Sequence, residues 1–338
     1  MKRKWIYRTV LCVAAIVILI VGFRILNWRG KKNTPTEPEY VLFYAENQTA
    51  DYPTTIGAQK FSELVWEKSG GRIKILVRYD AELGSEGEVI RQMMYGGLAF
   101  ARVSLSQLAE YMPEMNVLQM PYMYTGSEHM WRVLDGSIGE DFLAKTRDYG
   151  LVGLSWYDAG ARNIYSTTPI QSLEDMEGKV IRVQESDMMA DMISALKAKP
   201  VKIVYSDVYS ALERGMVDGA ENNWPSYEAM KHYFVARYYT VDEHIRVPEL
   251  QICSKAVWDQ LDEKDREIIR ECARESALYE RQLWQDREKT SRAKAEAAGV
   301  TVIELSDEEK MRFRDAMSSV YTKYCGDDME LLRKIMEY

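Results

Sequence analysis

Histidine and cysteine are scarce: 338 residues contain three histidines (His129, His232, His244) and four cysteines. There is no Cys-x-x-Cys and no histidine pair at ligand spacing, so a structural or catalytic metal site has no basis in the sequence. Signatures of catalysis are also missing. The chain has no Gly-x-Ser-x-Gly, no Walker-type loop and no His-Glu-x-x-His, which removes the commonest hydrolase, nucleotide-binding and metalloprotease readings. Glu46 and Glu86 are of the type a glycosidase pairs, but with 28% charged residues such acids are expected on solvated helices. No basic block follows the N-terminal segment and the formal net charge is −8, which argues against nucleic acid or an anionic bilayer surface as a partner. Three cysteines lie beyond that segment (Cys253, Cys272, Cys325), an odd number that does not suit a dense disulfide framework.

A long apolar run occurs at the start. Lys2, Arg3, Lys4 and Arg8 precede an apolar stretch from Val10 to Phe23, about the length of a signal-peptide core and short of the roughly 20 residues of a full span. No small-x-small cleavage site follows, since Arg24, Ile25, Leu26, Asn27 and Trp28 come next. Counted from Trp5 to Trp28, with Arg8 and Arg24 reaching outward, the segment makes a span with an aromatic at each edge. Residues 1–32 are therefore read as an anchor or signal, with the uncleaved anchor favoured, and residues 33–38 as a tether. Cys12 follows Leu11, where a lipobox needs a small residue, so lipidation is not expected. Either reading of the segment places the remainder outside the cytoplasm.

From Tyr40 onward strand-like and helix-like runs alternate, which predicts a largely parallel open sheet. Strands are expected at Tyr40–Ala45, Ile73–Tyr79, Phe100–Leu105, Leu151–Tyr157, Val180–Val183 and Val247–Ser254. Helices are expected at Thr55–Ser69, Gly84–Tyr95, Met130–Tyr149, Asp187–Leu196, Asp207–Arg214 and Trp224–Tyr233. Between Lys264 and Ala298 there is no Gly or Pro. A single helix there is roughly 50 Å long at 1.5 Å per residue and would brace two lobes, the alternative being two helices broken by a turn.

Three short pieces carry most of the functional message: Asp158-Ala159-Gly160-Ala161-Arg162-Asn163, Gly178-Lys179-Val180-Ile181-Arg182-Val183, and Met216-Val217-Asp218-Gly219-Ala220-Glu221-Asn222-Asn223. Each brings a charged or amide group to the end of an apolar run, where ligands gather in α/β sheets. Two guanidinium forks and an amide there suit a carboxylate. Arg182, between Ile181 and Val183, is costly to bury alone. It needs either a ligand or a structural acid such as Glu221.

These pieces, with Ser206-Asp207-Val208-Tyr209-Ser210-Ala211-Leu212 between the last two, stand in the order seen in the solute-binding subunits of tripartite ATP-independent periplasmic (TRAP) transporters. The chain resembles that family from about Tyr40 to Gly299, including Gly70-Gly71-Arg72-Ile73 and Glu82-Leu83-Gly84. The resemblance implies an α/β, two-lobed periplasmic-binding-protein-like (type II) fold with a long hinge-bracing helix. One lobe is expected from residues 39–158 and 248–285, the other from 159–247 and 286–338. It also implies that Arg182 makes the main salt bridge to a substrate carboxylate, supported by Arg162 and Asn222.

Arg102 departs from the family pattern, in which a small or acidic residue is common. It is either a further donor fork, suited to a ligand bearing hydroxyls or a second negative group, or a structural partner of an acid. Tyr205 and Trp224 offer flat faces for a sugar ring, or pack in the core. Asn47 and Glu86 complete the expected substrate-binding set. The implied function is capture of an organic acid, a sugar acid such as a uronate before a C4-dicarboxylate, by a monomer that delivers it to a membrane permease. No cofactor is implied. An extracytoplasmic sensor that binds an organic acid is the other reading.

Overall fold

The computed structural model describes residues 37–338, so the anchor and most of the tether lie outside the described residues. Among the described residues no helix is long and apolar enough to cross a membrane. In chain order the elements used below are β1 (Tyr40–Ala45), α1 (Pro53–Lys68), β2 (Ile73–Arg78), α2 (Glu86–Met94), β3 (Phe100–Ser104), β4 (Leu151–Tyr157), β5 (Ala161–Ser166) and β6 (Val180–Val183). They continue with α3 (Asp187–Ala195), β7 (Lys199–Lys202), α4 (Val208–Glu213), β8 (Gly219–Asn222), α5 (Trp224–Ala229), β9 (Tyr238–Arg246) and β10 (Glu249–Ser254). The C-terminal part holds α6 (Glu263–Ala297), β11 (Thr301–Glu304), α7 (Ser318–Cys325) and α8 (Met329–Glu337).

Two sheets result. The first has the order β2-β1-β3-β10-β4 and the second β11-β9-β5-β8-β6-β7. β1 pairs in parallel with β2 and β3, but β10 runs antiparallel to both β3 and β4, so the first sheet is mixed rather than largely parallel. The reason is topological. The chain leaves the first sheet through Asp158-Ala159-Gly160 and returns through Val247-Pro248, entering β10 from the end at which β4 exits. Continuous helix over Met130–Tyr149 is also not found: helices at Ser127–Leu134 and Ser137–Lys145 break at Asp135-Gly136.

α6 is one continuous helix of 35 residues, about 52 Å long at 1.5 Å per residue. The Asp262 side chain caps it by accepting from the Asp265 N–H. Its buried positions, Ile269, Cys272, Ala273, Ser276, Ala277, Glu280 and Trp284 among them, recur at three- and four-residue steps and face α1, β4 and α5. Gly57 of α1 permits the close approach, because a Cβ there would sit 2.9 Å from Cβ of Glu280. At the first crossing Gly160 has φ +60° and its Asp158 neighbour accepts the Gly160 N–H, so the turn is both left-handed and pinned. The helices α7 and α8 pack on the 3-10 turn Pro113–Gln119 beside the first sheet, and α7 also packs on α3 beside the second, so the C-terminal segment spans both lobes. Cys253, Cys272 and Cys325 are each buried and form no disulfide among the described residues.

Candidate functional site

β8 lies between β5 and β6, antiparallel to the first and parallel to the second, so the N-terminal end of β5 and the C-terminal ends of β8 and β6 share one edge of the sheet. That edge carries Arg162, Asn222 and Arg182. The Val217-Asp218-Gly219-Ala220-Glu221-Asn222 stretch builds it residue by residue. Asp218 accepts the Val180 N–H at 2.8 Å and clips β8 to β6. Gly219 fits because a Cβ would stand 2.6 Å from the Tyr165 carbonyl oxygen of β5. Asn223 then caps α5 by accepting the Ser226 N–H at 2.8 Å.

The two second-lobe arginines differ sharply. Arg162 is matched: its Nε donates to Glu221 at 2.5 Å and its Nη2 to the same carboxylate at 2.9 Å. Burial would raise the Glu221 pKa, but Arg162 and His244 outweigh it and bring it down to about 2. His244 in turn holds Asp242 at 2.9 Å, so Arg162 ends a buried chain of alternating charge. Gln184, with its amide oxygen turned toward Arg162, accepts from Nη1 at 2.9 Å.

Arg182 has no carboxylate partner among the described residues. It is 2% exposed, and its Nε and Nη2 both donate to the Ile203 carbonyl, at 2.9 and 2.7 Å. Its Nη1 is buried with no acceptor among the described residues, and burial lowers its pKa. Glu221, the structural acid considered for it, serves Arg162 instead.

The first lobe contributes the opposite chemistry. Arg102 in β3 donates Nε to Glu46 at 3.1 Å, Nη1 to Glu86 at 2.6 Å and to Glu249 at 2.8 Å, and Nη2 to Glu46 and Asn47. Those contacts engage all five N–H groups of a guanidinium. Arg102 therefore has no donor left for a ligand, which corrects the reading of it as a further fork: three acids from distant parts of the chain converge on it. Burial opposes the Arg102 charge, yet Glu46, Glu249 and Glu86 outweigh it and hold the pKa well above the ordinary value.

A cleft of about 680 Å³ joins the two walls, inside the range typical of small-molecule sites. It is lined by Arg182, Arg162, Asn222, Tyr205, Arg102, Glu86 and Asn47. Trp224 is not on it. That indole stacks on Tyr239 with ring centroids 3.5 Å apart and is buried in the second-lobe core, because α5 starts at Trp224 and turns it inward. Several lining residues escaped the sequence reading: Gln48, Thr54, Gln184 and Trp284. Gln184 had a signal, two residues after Arg182 and so on the same side of an extended strand. The Tyr205 hydroxyl, Gln48 Oε1, Thr54 Oγ1 and Trp284 Nε1 are, like Arg182 Nη1, buried without a partner among the described residues. Buried polar atoms are normally paired, so a concentration of orphans on one cleft points to a polar ligand.

Comparison with known proteins agrees with this geometry. The pattern of bacterial extracellular solute-binding protein, family 7, matches residues 44–327. A TRAP periplasmic solute-binding protein from Bradyrhizobium sp. BTAi1, solved with α/β-D-galacturonate, is 41% identical with a TM-score of 0.85 and covers 88% of this chain and 99% of its own. One from Pseudomonas putida F1, solved with D-glucuronate, is 36% identical with a TM-score of 0.85, covering 87% and 96%. A solute-binding protein of Chromohalobacter salexigens is 37% identical over 281 residues, 83% of each chain. A match of that length, with relatives this similar along most of their own length, makes the chain a member of the family 7 extracellular solute-binding proteins, the binding subunits of TRAP transporters.

Proposed function

We propose that the protein captures a hexuronate such as D-galacturonate or D-glucuronate between its lobes and delivers it, as a monomer, to a TRAP membrane permease. The observation that carries this reading is Arg182 Nη1, a buried cationic donor with no acid and no acceptor of its own. With Nε and Nη2 tied to Ile203, the outer edge of the guanidinium is left to meet two carboxylate oxygens side by side. Arg162 and Asn222 stand beside it on the same sheet edge. The opposite wall, with Glu86, Glu249 and Gln48, is rich in acceptors that match the hydroxyls of a sugar ring. Relatives solved with uronates support the same class.

Family membership places the two lobes outside the cytoplasm. Residues 1–32 serve as a retained anchor in this reading, supported by the missing small-x-small site after Phe23. Isothermal titration of the purified protein with D-galacturonate, D-glucuronate and succinate tests the function. Tight binding of a uronate with weak succinate binding is expected. Succinate binding without uronate binding overturns the reading.

A further inference from the structure

We propose that the Glu86–Arg102–Glu249 cluster is a charge discriminator, admitting a sugar acid with one carboxylate and rejecting a sugar acid carboxylated at both ends. This rests on the uronate reading of the cleft and adds which members of the sugar acids are refused. The Arg102 guanidinium meets three carboxylates, Glu46, Glu86 and Glu249, and every N–H it has is engaged.

Glu46 is saturated and fully buried, since it also accepts the Asn47 and Gln48 N–H groups at 2.8 and 3.1 Å. Glu86 and Glu249 are not. Their side chains remain 11% and 10% exposed and line the cleft, each with one oxygen on Arg102 Nη1. The first-lobe wall therefore offers acceptors and excess negative charge, with its central cation already used. A ligand hydroxyl donates into such a wall, whereas a second carboxylate finds no buried cation free to pair with it and meets like charge at close range in a site of reduced dielectric. Arg91, another first-lobe arginine on the cleft, is exposed and donates to the Tyr111 hydroxyl at 2.9 Å, so solvent screens its charge and it offsets the acids less than a buried cation would.

The titration of Glu86 fits this geometry. Burial raises its pKa to about 7; Arg102 opposes the rise and Glu249 and Glu46 reinforce it. Below that pH the protonated Glu86 loses its charge and gains a donor, so discrimination should relax on acidification.

The test is titration calorimetry of the full-length protein with D-galacturonate and with galactarate, its diacid counterpart, at pH 8 and pH 5.5. Galactarate should bind at least about 100-fold more weakly at pH 8, with a narrower gap at pH 5.5. Glu86→Gln and, independently, Glu249→Gln keep an oxygen for Arg102 but remove a charge, and each should narrow the gap at pH 8 at least about tenfold. Galactarate binding within threefold of galacturonate, or a ratio that neither folded variant narrows, overturns the discriminator while leaving the uronate reading intact. Failure of the wild type to bind either D-galacturonate or D-glucuronate is a different result and removes both.

Discussion

Replacing Arg182 by lysine keeps the charge and removes the fork, and the structure allows the loss to be worked out. A guanidinium has five N–H groups, and Nε and Nη2 of Arg182 both donate to the Ile203 carbonyl. The remaining Nη1 and Nη2 hydrogens form the edge that faces the cleft. A lysine ammonium is a point donor and cannot hold the carbonyl and grip two carboxylate oxygens in parallel. Truncating one side of a buried, hydrogen-bonded charge pair costs about 2–5 kcal/mol, equivalent to a dissociation constant weaker by about 30-fold to several thousand-fold. The empty protein should change little in melting temperature, since Arg182 has no acid partner to lose. Calorimetry with D-galacturonate and thermal unfolding of the same Arg182→Lys sample give both numbers. A folded variant that binds within threefold of wild type refutes the clamp.

Three further outcomes follow from other contacts. Burial opposes the His244 charge, but Asp242 and Glu221 outweigh it and raise the pKa to about 9; the stability this contributes is fully present below the unfolded value of about 6.5 and is lost as pH rises through about 9. The melting temperature should therefore fall between neutral pH and about pH 9.5, and His244→Asn should flatten that alkaline limb. Trp224→Ala removes a core indole stacked on Tyr239 and should lower stability by about 3–5 kcal/mol while leaving the galacturonate-to-glucuronate preference unchanged, measured by denaturant melts and calorimetry. Gly160→Ala forces a Cβ to 2.9 Å from Trp284 Nε1 at φ +60°, and a loss of about 1–3 kcal/mol should appear in the same melts.

How much of this was legible in the sequence depends on how local each feature is. Arg162, Arg182, Asn222 and Tyr205 are each marked by neighbours within a few residues, and strand ends bring them to one cleft. The continuous α6 was legible for the same reason, since the absence of Gly and Pro is a local property. Arg102 was visible as an anomaly, but its resolution was not: Glu46 follows β1, Glu86 opens α2 and Glu249 opens β10 after the chain has visited the other lobe. No spacing rule links those positions. Trp224 was misread because adjacency to Asn222-Asn223 says nothing about direction once the Asn223 cap starts a helix. β9 was missed, although its nine residues join the second lobe to β10, because Asp242, Glu243 and His244 interrupt the apolar alternation.

The charge arrangement explains why the lobes need a ligand between them. On the second-lobe wall of the cleft, Arg162 is matched by Glu221 and Arg182 has no acid partner among the described residues. The first-lobe wall shows the reverse, with three acids sharing the buried Arg102. Two such walls attract across the cleft, but Arg182 is tied to Ile203 and the acids are tied to Arg102, so neither side is free to leave its own lobe and neutralise the other. Direct contact between the lobes is made by neutral groups of the cleft lining instead: the Tyr52 hydroxyl just before α1 donates to the Asn223 amide oxygen at 3.2 Å and lies 2.8 Å from the Ser226 hydroxyl, and the turned Gln184 amide donates to Ser104 at 3.2 Å. A molecule with a carboxylate at one end and hydroxyls at the other satisfies both walls at once. Closure then gains contacts that depend on both ends of the ligand being present, which is the condition for a ligand to shift a conformational equilibrium.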